Sequence, residues 1–180
     1  MDHRSQKEVL ELEADIESAF AQFEKDEFND MLAGALAGEY FGYSTFAALA
    51  ADSSEKPELH FWECARDIEG MMIRNLEPLL DSSGIPRPEK SMYVGIGERT
   101  AAIFAGEPHQ DYCTWVGPRI DAALTGLLRL QALSEPGPAR TACDELVAHE
   151  LALMSAWAVL SNGFAAAAKP LAAHLNRGFI

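Results

Sequence analysis

Apolar residues recur along this chain every three to four positions over long stretches, and the strict alternation that a half-buried strand needs is almost absent. The spacing predicts six helical segments. The first covers about residues 5–25, with Val9, Leu12, Ile16, Phe20 and Phe23 on one face and Ser5 with Glu8 as a capping-box pattern. The second covers about 29–51, and its stripe is Leu32, Leu36, Glu39, Tyr43, Phe46 and Ala50. No glycine or proline separates the two, so one continuous or kinked helix is as compatible with the pattern as two. Residues 52–56 form a turn, and Pro57 suits the first position of a third segment that runs to about Leu80. Its stripe is Trp62, Ala65, Glu69, Met72, Leu76 and Leu79. Pro78 is expected to kink or fray its last turn.

Residues 81–111 break this rhythm with Gly84, Pro86, Pro88, Gly95, Gly97, Gly106 and Pro108, leaving room for a short helix over 98–104. Helical spacing resumes from Trp115 or Pro118 to Leu133, and again over about 139–160 after the turn at 134–138. Asn162-Gly163 stops that segment, and a short last helix spans 164–175. The expected fold is all-α and a single domain over residues 1–180. It comprises two antiparallel hairpins, 29–80 and 115–161, joined by the crossover 81–111. Short loops make neighbours antiparallel, and one long crossover between two hairpins defines a particular form of four-helix bundle. An extra N-terminal helix and the short C-terminal helix complete it.

Composition narrows the function more than the fold. Apolar residues make up 48% and charged residues 23%, which argues against disorder. The formal net charge of -14 repels phosphate, so neither nucleic acid nor an anionic membrane surface is an expected partner. Cys64, Cys113 and Cys143 are odd in number and far apart. They fit a reducing compartment, and a cytoplasmic location is expected with the charged N-terminus. There is no phosphate-cradling glycine loop, HExxH or GxSxG. His60 suits the surface or a cap, His3, His109 and His174 show no sign of a site role, and Cys64 is expected as a small core residue without a histidine at useful spacing.

The informative residues are glutamates on apolar stripes. A buried carboxylate without a partner costs several kcal/mol, so each needs a metal, a cation or a proton. Glu39 is flanked at helical spacing by Ala35, Leu36, Gly42 and Tyr43; Glu69 by Ala65, Arg66, Met72 and Ile73; Glu150 by Leu146, Val147, Leu153 and Met154. Their heights agree. Glu39 lies 12 residues before Ala51 and Glu69 12 after Pro57, so both stand about 18 Å from the same turn at ~1.5 Å per residue. Glu150 lies 12 residues after Pro138. Asp121 lies near the matching height of the fourth segment, where a carboxylate near the helix start, favoured by the dipole, is the alternative. His149 is either a ligand or a satisfied core histidine.

The stretch 35–43 (ALAGEYFGY), the run Phe61-Trp-Glu-Cys-Ala-Arg-Asp-Ile-Glu69 and, more weakly, Val147-Ala-His-Glu150 resemble ferritin-like and rubrerythrin-like proteins. The resemblance implies a ferritin-like four-helix bundle with a carboxylate-bound iron or manganese site. It implies Glu39, Glu69, Glu150, His149 and Asp121 as metal ligands and oxygen or peroxide redox chemistry. Tyr43 becomes a donor to the ligands or an electron relay. A full di-metal site takes a Glu from each of two helices and Glu-x-x-His from each of the other two. Here Glu69 is followed by Gly70-Met71-Met72, and Met72 stands where His is expected. Two readings therefore stand side by side. One is a metalloprotein. The other is a metal-free bundle used for dimerisation or small-molecule binding, with a homodimer suggested by the apolar face of the first helix.

Overall fold

A computed structural model of the chain describes residues 3–23, 27–105 and 109–177. Seven α-helices account for nearly all of them, and no strand occurs among the described residues. No helix among them is long and apolar enough to cross a membrane.

Helix α1 (His3–Phe20) passes into a 3-10 turn (Ala21–Phe23), and α2 (Phe28–Asp52) follows as a separate helix. Ser5 lies inside α1 rather than at its cap, and the expected end near Lys25 falls outside the described residues. Helix α3 (Lys56–Ser83) turns back along α2, with Pro57 in its first turn. Pro78 does not end it. Pro78 lies on the exposed face, where the carbonyl it leaves free reaches water. The helix stops at Gly84, whose φ of 67° is left-handed, and Ile85 N–H closes the end on the Leu80 carbonyl at 2.9 Å.

Much of the expected crossover is a helix, α4 (Lys90–Phe104), and not only the short 98–104 segment. Its buried positions Tyr93, Ile96, Gly97, Thr100, Ala101 and Phe104 form one helical face that packs on α2. Gly97 reads as a breaker in sequence but is a contact requirement in space. A Cβ there would lie 2.0 Å from Ser44 Oγ and 2.5 Å from the Phe41 carbonyl of α2. The apolar face of α1 rests on α4, and the Tyr93 hydroxyl donates to the Ala19 carbonyl at 3.0 Å. The surface that suggested a dimer is therefore covered within the chain.

Helix α5 (His109–Leu133) starts earlier than expected and carries Pro118 in its interior, again on an exposed face. It pairs with α6 (Pro138–Ala158) across a short turn. After a 3-10 turn (Leu160–Asn162), α7 (Phe164–Leu175) packs against α3 and α6. The α2–α3 and α5–α6 pairs meet through α2 with α5 and α3 with α6.

The core falls into two apolar bodies. One contains Phe46, Phe61, Trp62, Ile68, Tyr112, Leu153 and Leu171, with Trp62 against Phe61 at 4.7 Å between ring centres. The other contains Leu32, Leu36, Tyr40, Met72, Leu76, Tyr93 and Leu146. Along α2, α3 and α6 the change from one body to the other falls near residues 40–46, 68–72 and 146–153. The inward glutamates occupy that polar layer.

Candidate metal centre

Three helices each deliver one side chain to the layer. Glu39 of α2 is 5% exposed, Glu69 of α3 is 4% and His149 of α6 is 1%. One ligand atom from each lies within 4.8 Å of the other two, and this is the one such buried group among the described residues. His149 Nε2 stands 3.5 Å from Glu69 Oε2 and 3.7 Å from Glu39 Oε2. The equal heights expected for Glu39 and Glu69 are thus realised.

Space for the cluster comes from Gly42, one turn beyond Glu39. A Cβ there would sit 2.6 Å from Glu69 Oε1 and 2.7 Å from its Cδ. Any other residue would push the carboxylate out of its place. Gly42 was visible in sequence only as a neighbour of Glu39; its role depends on how closely α2 and α3 approach.

The electrostatics follow from burial. Burial pushes the Glu39 carboxyl well above its ordinary value, and the charge of Glu69, a hydrogen bond with Glu69 and the charge of Glu150 push it further. Burial alone would lower the His149 imidazolium, but Glu69 foremost, then Glu150 and the Leu146 carbonyl, outweigh it and raise it. Even so, Glu39 Oε2 and both ring nitrogens of His149 lack a hydrogen-bond partner among the described residues. Buried polar atoms without partners are few in native proteins, and a cluster of them is where an ordered water or an ion fits.

The remaining candidates divide. Glu150 is 7% exposed but faces the far side of the imidazole, with Oε2 3.9 Å from His149 Nδ1. Burial lifts its carboxyl to about 7, against the lowering effect of His149. It stands behind the histidine and outside the three-residue group. Asp121 is exposed and mid-helix, so neither the ligand role nor the helix-start role applies. The reason is register: Tyr112, Val116 and Ile120 define the buried face of α5, and Asp121 lies about 100° from it. Met72 is fully buried in the second apolar body, so a thioether, a poor partner for hard cations, fills the place where a second histidine was expected. The donor set on the three helices is two carboxylates and one imidazole. Tyr43 is 39% exposed, with its ring against Gly70 on the outer face.

Two residues were undervalued in sequence. His60 is exposed as expected, yet it brings its ring nitrogens 3.8 and 3.9 Å from Cys64 Sγ across one helical turn, so Cys64 does have a histidine at close spacing. Burial foremost, with Asp67 and Glu63, raises the thiol's pKa, which keeps it a poor nucleophile. His174 of α7 is 5% exposed and lies beside His149, with ring centres 6.4 Å apart. Its signal was present: Ala167, Leu171 and His174 share one apolar stripe, the test already applied to the glutamates. No protein-family model, curated protein or solved structure matches this chain, so its function rests on the geometry of the polar layer.

Proposed function

We propose that this chain is a ferritin-like helical protein that binds a single iron or manganese ion through Glu39, Glu69 and His149. The observation that supports it is the buried Glu-Glu-His group drawn from three helices, with ligand atoms within 4.8 Å of one another and partnerless atoms on Glu39 and His149. The pairing of α2 with α3 and α5 with α6 is the helix arrangement such a bundle requires. Two carboxylate oxygens and one imidazole nitrogen suit Fe(II) or Mn(II) better than softer ions. Bound there, the ion would supply one-electron redox chemistry toward dioxygen or a peroxide.

The chain's own residues supply the setting. Glu39 and Glu69 neutralise a divalent charge in a layer closed above and below by apolar side chains. Glu150, behind Nδ1, orients the imidazole and raises its basicity, as carboxylates behind metal-bound histidines do. The free thiols Cys64, Cys113 and Cys143 accord with a cytoplasmic setting.

Anaerobic loading with Mn(II) or Fe(II), desalting and elemental analysis tests the reading. About one ion per chain is expected, lost in Glu69→Gln, because removing one of three protein ligands leaves too few. A folded wild-type protein that retains no metal overturns it. That result would favour the second reading, a metal-free bundle for small-molecule binding, which Met72 at the histidine position supports.

A further inference from the structure

Six buried polar atoms lack a hydrogen-bond partner among the described residues, and five of them belong to Glu39, His149 and His174. His174 does not lie on either hairpin. It is carried by α7, whose other buried residues are Ala167, Ala168 and Leu171. A neutral imidazole has one donor and one acceptor nitrogen. Leaving both unpaired in such surroundings is costly, because each buried polar group loses its water without gaining a partner. A leucine at this position would carry no such penalty. A buried histidine with neither nitrogen hydrogen-bonded, beside a second one whose Nε2 faces Glu39 and Glu69, is explained by a ligand that the two share.

Resting on the metal reading above, we infer that His174 is a second imidazole ligand of the same centre, so that the ion is held by Glu39, Glu69, His149 and His174. Two imidazoles on one ion have ring centres roughly 5–6 Å apart, since each nitrogen lies about 2.1 Å from the metal. The observed 6.4 Å is within a small inward shift of that range. His174 lies outside the three-residue group, so joining it requires an inward shift of the imidazole. Helix α7, which carries it, packs on α3 and α6. The site then takes two histidines and two carboxylates, and Met72 needs no replacement within α3. The C-terminal helix becomes part of the centre, pinned to the bundle by the ion.

The test is Mn(II) titration of the full chain by calorimetry, with pulsed EPR to count directly bound histidine nitrogens in protein labelled with nitrogen-15 at histidine. Wild type is expected to show two bound imidazoles. His174→Gln should show one, with affinity weakened on the order of 100-fold. Amide exchange in α7 should slow on Mn(II) addition in wild type but not in His174→Gln. A wild-type centre with one imidazole, and His174→Gln binding as tightly as wild type, removes His174 while leaving the three-residue site intact. Absence of Mn(II) uptake by wild type removes both. The imidazole count is read on wild type, so it decides the matter even if the variant fails to fold.

Discussion

Glu69 keeps its carboxylate in the polar layer because residue 42 has no side chain. Gly42→Ala places a methyl group 2.6 Å from Glu69 Oε1, closer than non-bonded atoms tolerate. The group displaced is the far end of a flexible side chain, so relaxation is cheap. Alanine also gains about 1 kcal/mol of helix propensity over glycine. The expected outcome is a protein whose urea midpoint is unchanged or slightly raised but whose Mn(II) affinity falls by about tenfold or more, because ligand atoms must be placed to within a fraction of an ångström. Equal affinity in wild type and Gly42→Ala would show that Glu69 does not bind from this position. Glu39 makes the complementary case. Its raised pKa means that the apoprotein bears the cost of two carboxylates in one dry space. Glu39→Gln is therefore expected to stabilise the apoprotein at pH 8 by about 1–2 kcal/mol while abolishing metal retention. Destabilisation on that change would mean that the carboxylate is satisfied by the protein alone.

Helix α4 decides how the elements assemble. It fills the groove beside α2 because Gly97 lets the two backbones approach, and Thr45 Oγ1 then donates to the Gly97 carbonyl at 3.3 Å. Gly97→Ala sets a Cβ against the Phe41 backbone, which cannot rotate away. A loss of about 2–4 kcal/mol in urea unfolding is expected, typical of overpacking against a rigid partner. Gly95→Ala serves as the control: nothing lies within 4 Å of a Cβ there, so it should gain up to about 1 kcal/mol from helix propensity. Similar responses at the two positions would show that the α2–α4 contact is looser than described. At the other end, Arg119 of α5 bonds Glu13 of α1 at 2.7 Å and its guanidinium lies 3.9 Å from the Trp115 ring centre. The N-terminal helix is tied to the second hairpin as well as to α4.

Over the whole molecule, the polar layer makes stability depend on pH in a definite direction. Glu39, Glu150 and His149 all have raised pKa values in the folded chain. Unfolded, a glutamate titrates near 4.3 and a histidine near 6.5, roughly. Between the unfolded and folded values the native state holds more protons, so stability falls as pH rises. For Glu150 that window runs from the unfolded value up to about 7, worth on the order of 3 kcal/mol. For His149 the contribution is complete below its unfolded value and is lost as pH rises through the folded one. The apoprotein should therefore melt at higher temperature at pH 5.5 than at pH 8. Self-repulsion from a net charge of -14 acts in the same direction, but salt screens that part and not the buried one. The slope that survives 0.5 M salt should shrink in Glu150→Gln. Saturating Mn(II) should reverse it, since ligands bind deprotonated. A slope that salt removes entirely would place the effect on the surface.

Local spacing determined every helix except the first half of α4, because a helix buries one stripe and the stripe is written at intervals of three and four. It also exposed Glu39, Glu69 and Glu150 as carboxylates on apolar faces, since each flank of four neighbours lies within one turn. The equal heights of Glu39 and Glu69 followed from counting residues to a shared turn. Other features depended on contacts between residues far apart in the chain. Gly97 reads as a helix breaker until α2 is known to press on it, and Gly42 reads as a small neighbour until Glu69 fills its space. Asp121 and His149 each stood one position from an apolar residue, and only the register of α5 and α6 in the bundle turned one outward and the other inward. His174 needed the docking of α7 beside α6. Helical spacing determines which face of a helix is buried; the tertiary packing alone determines what that face meets.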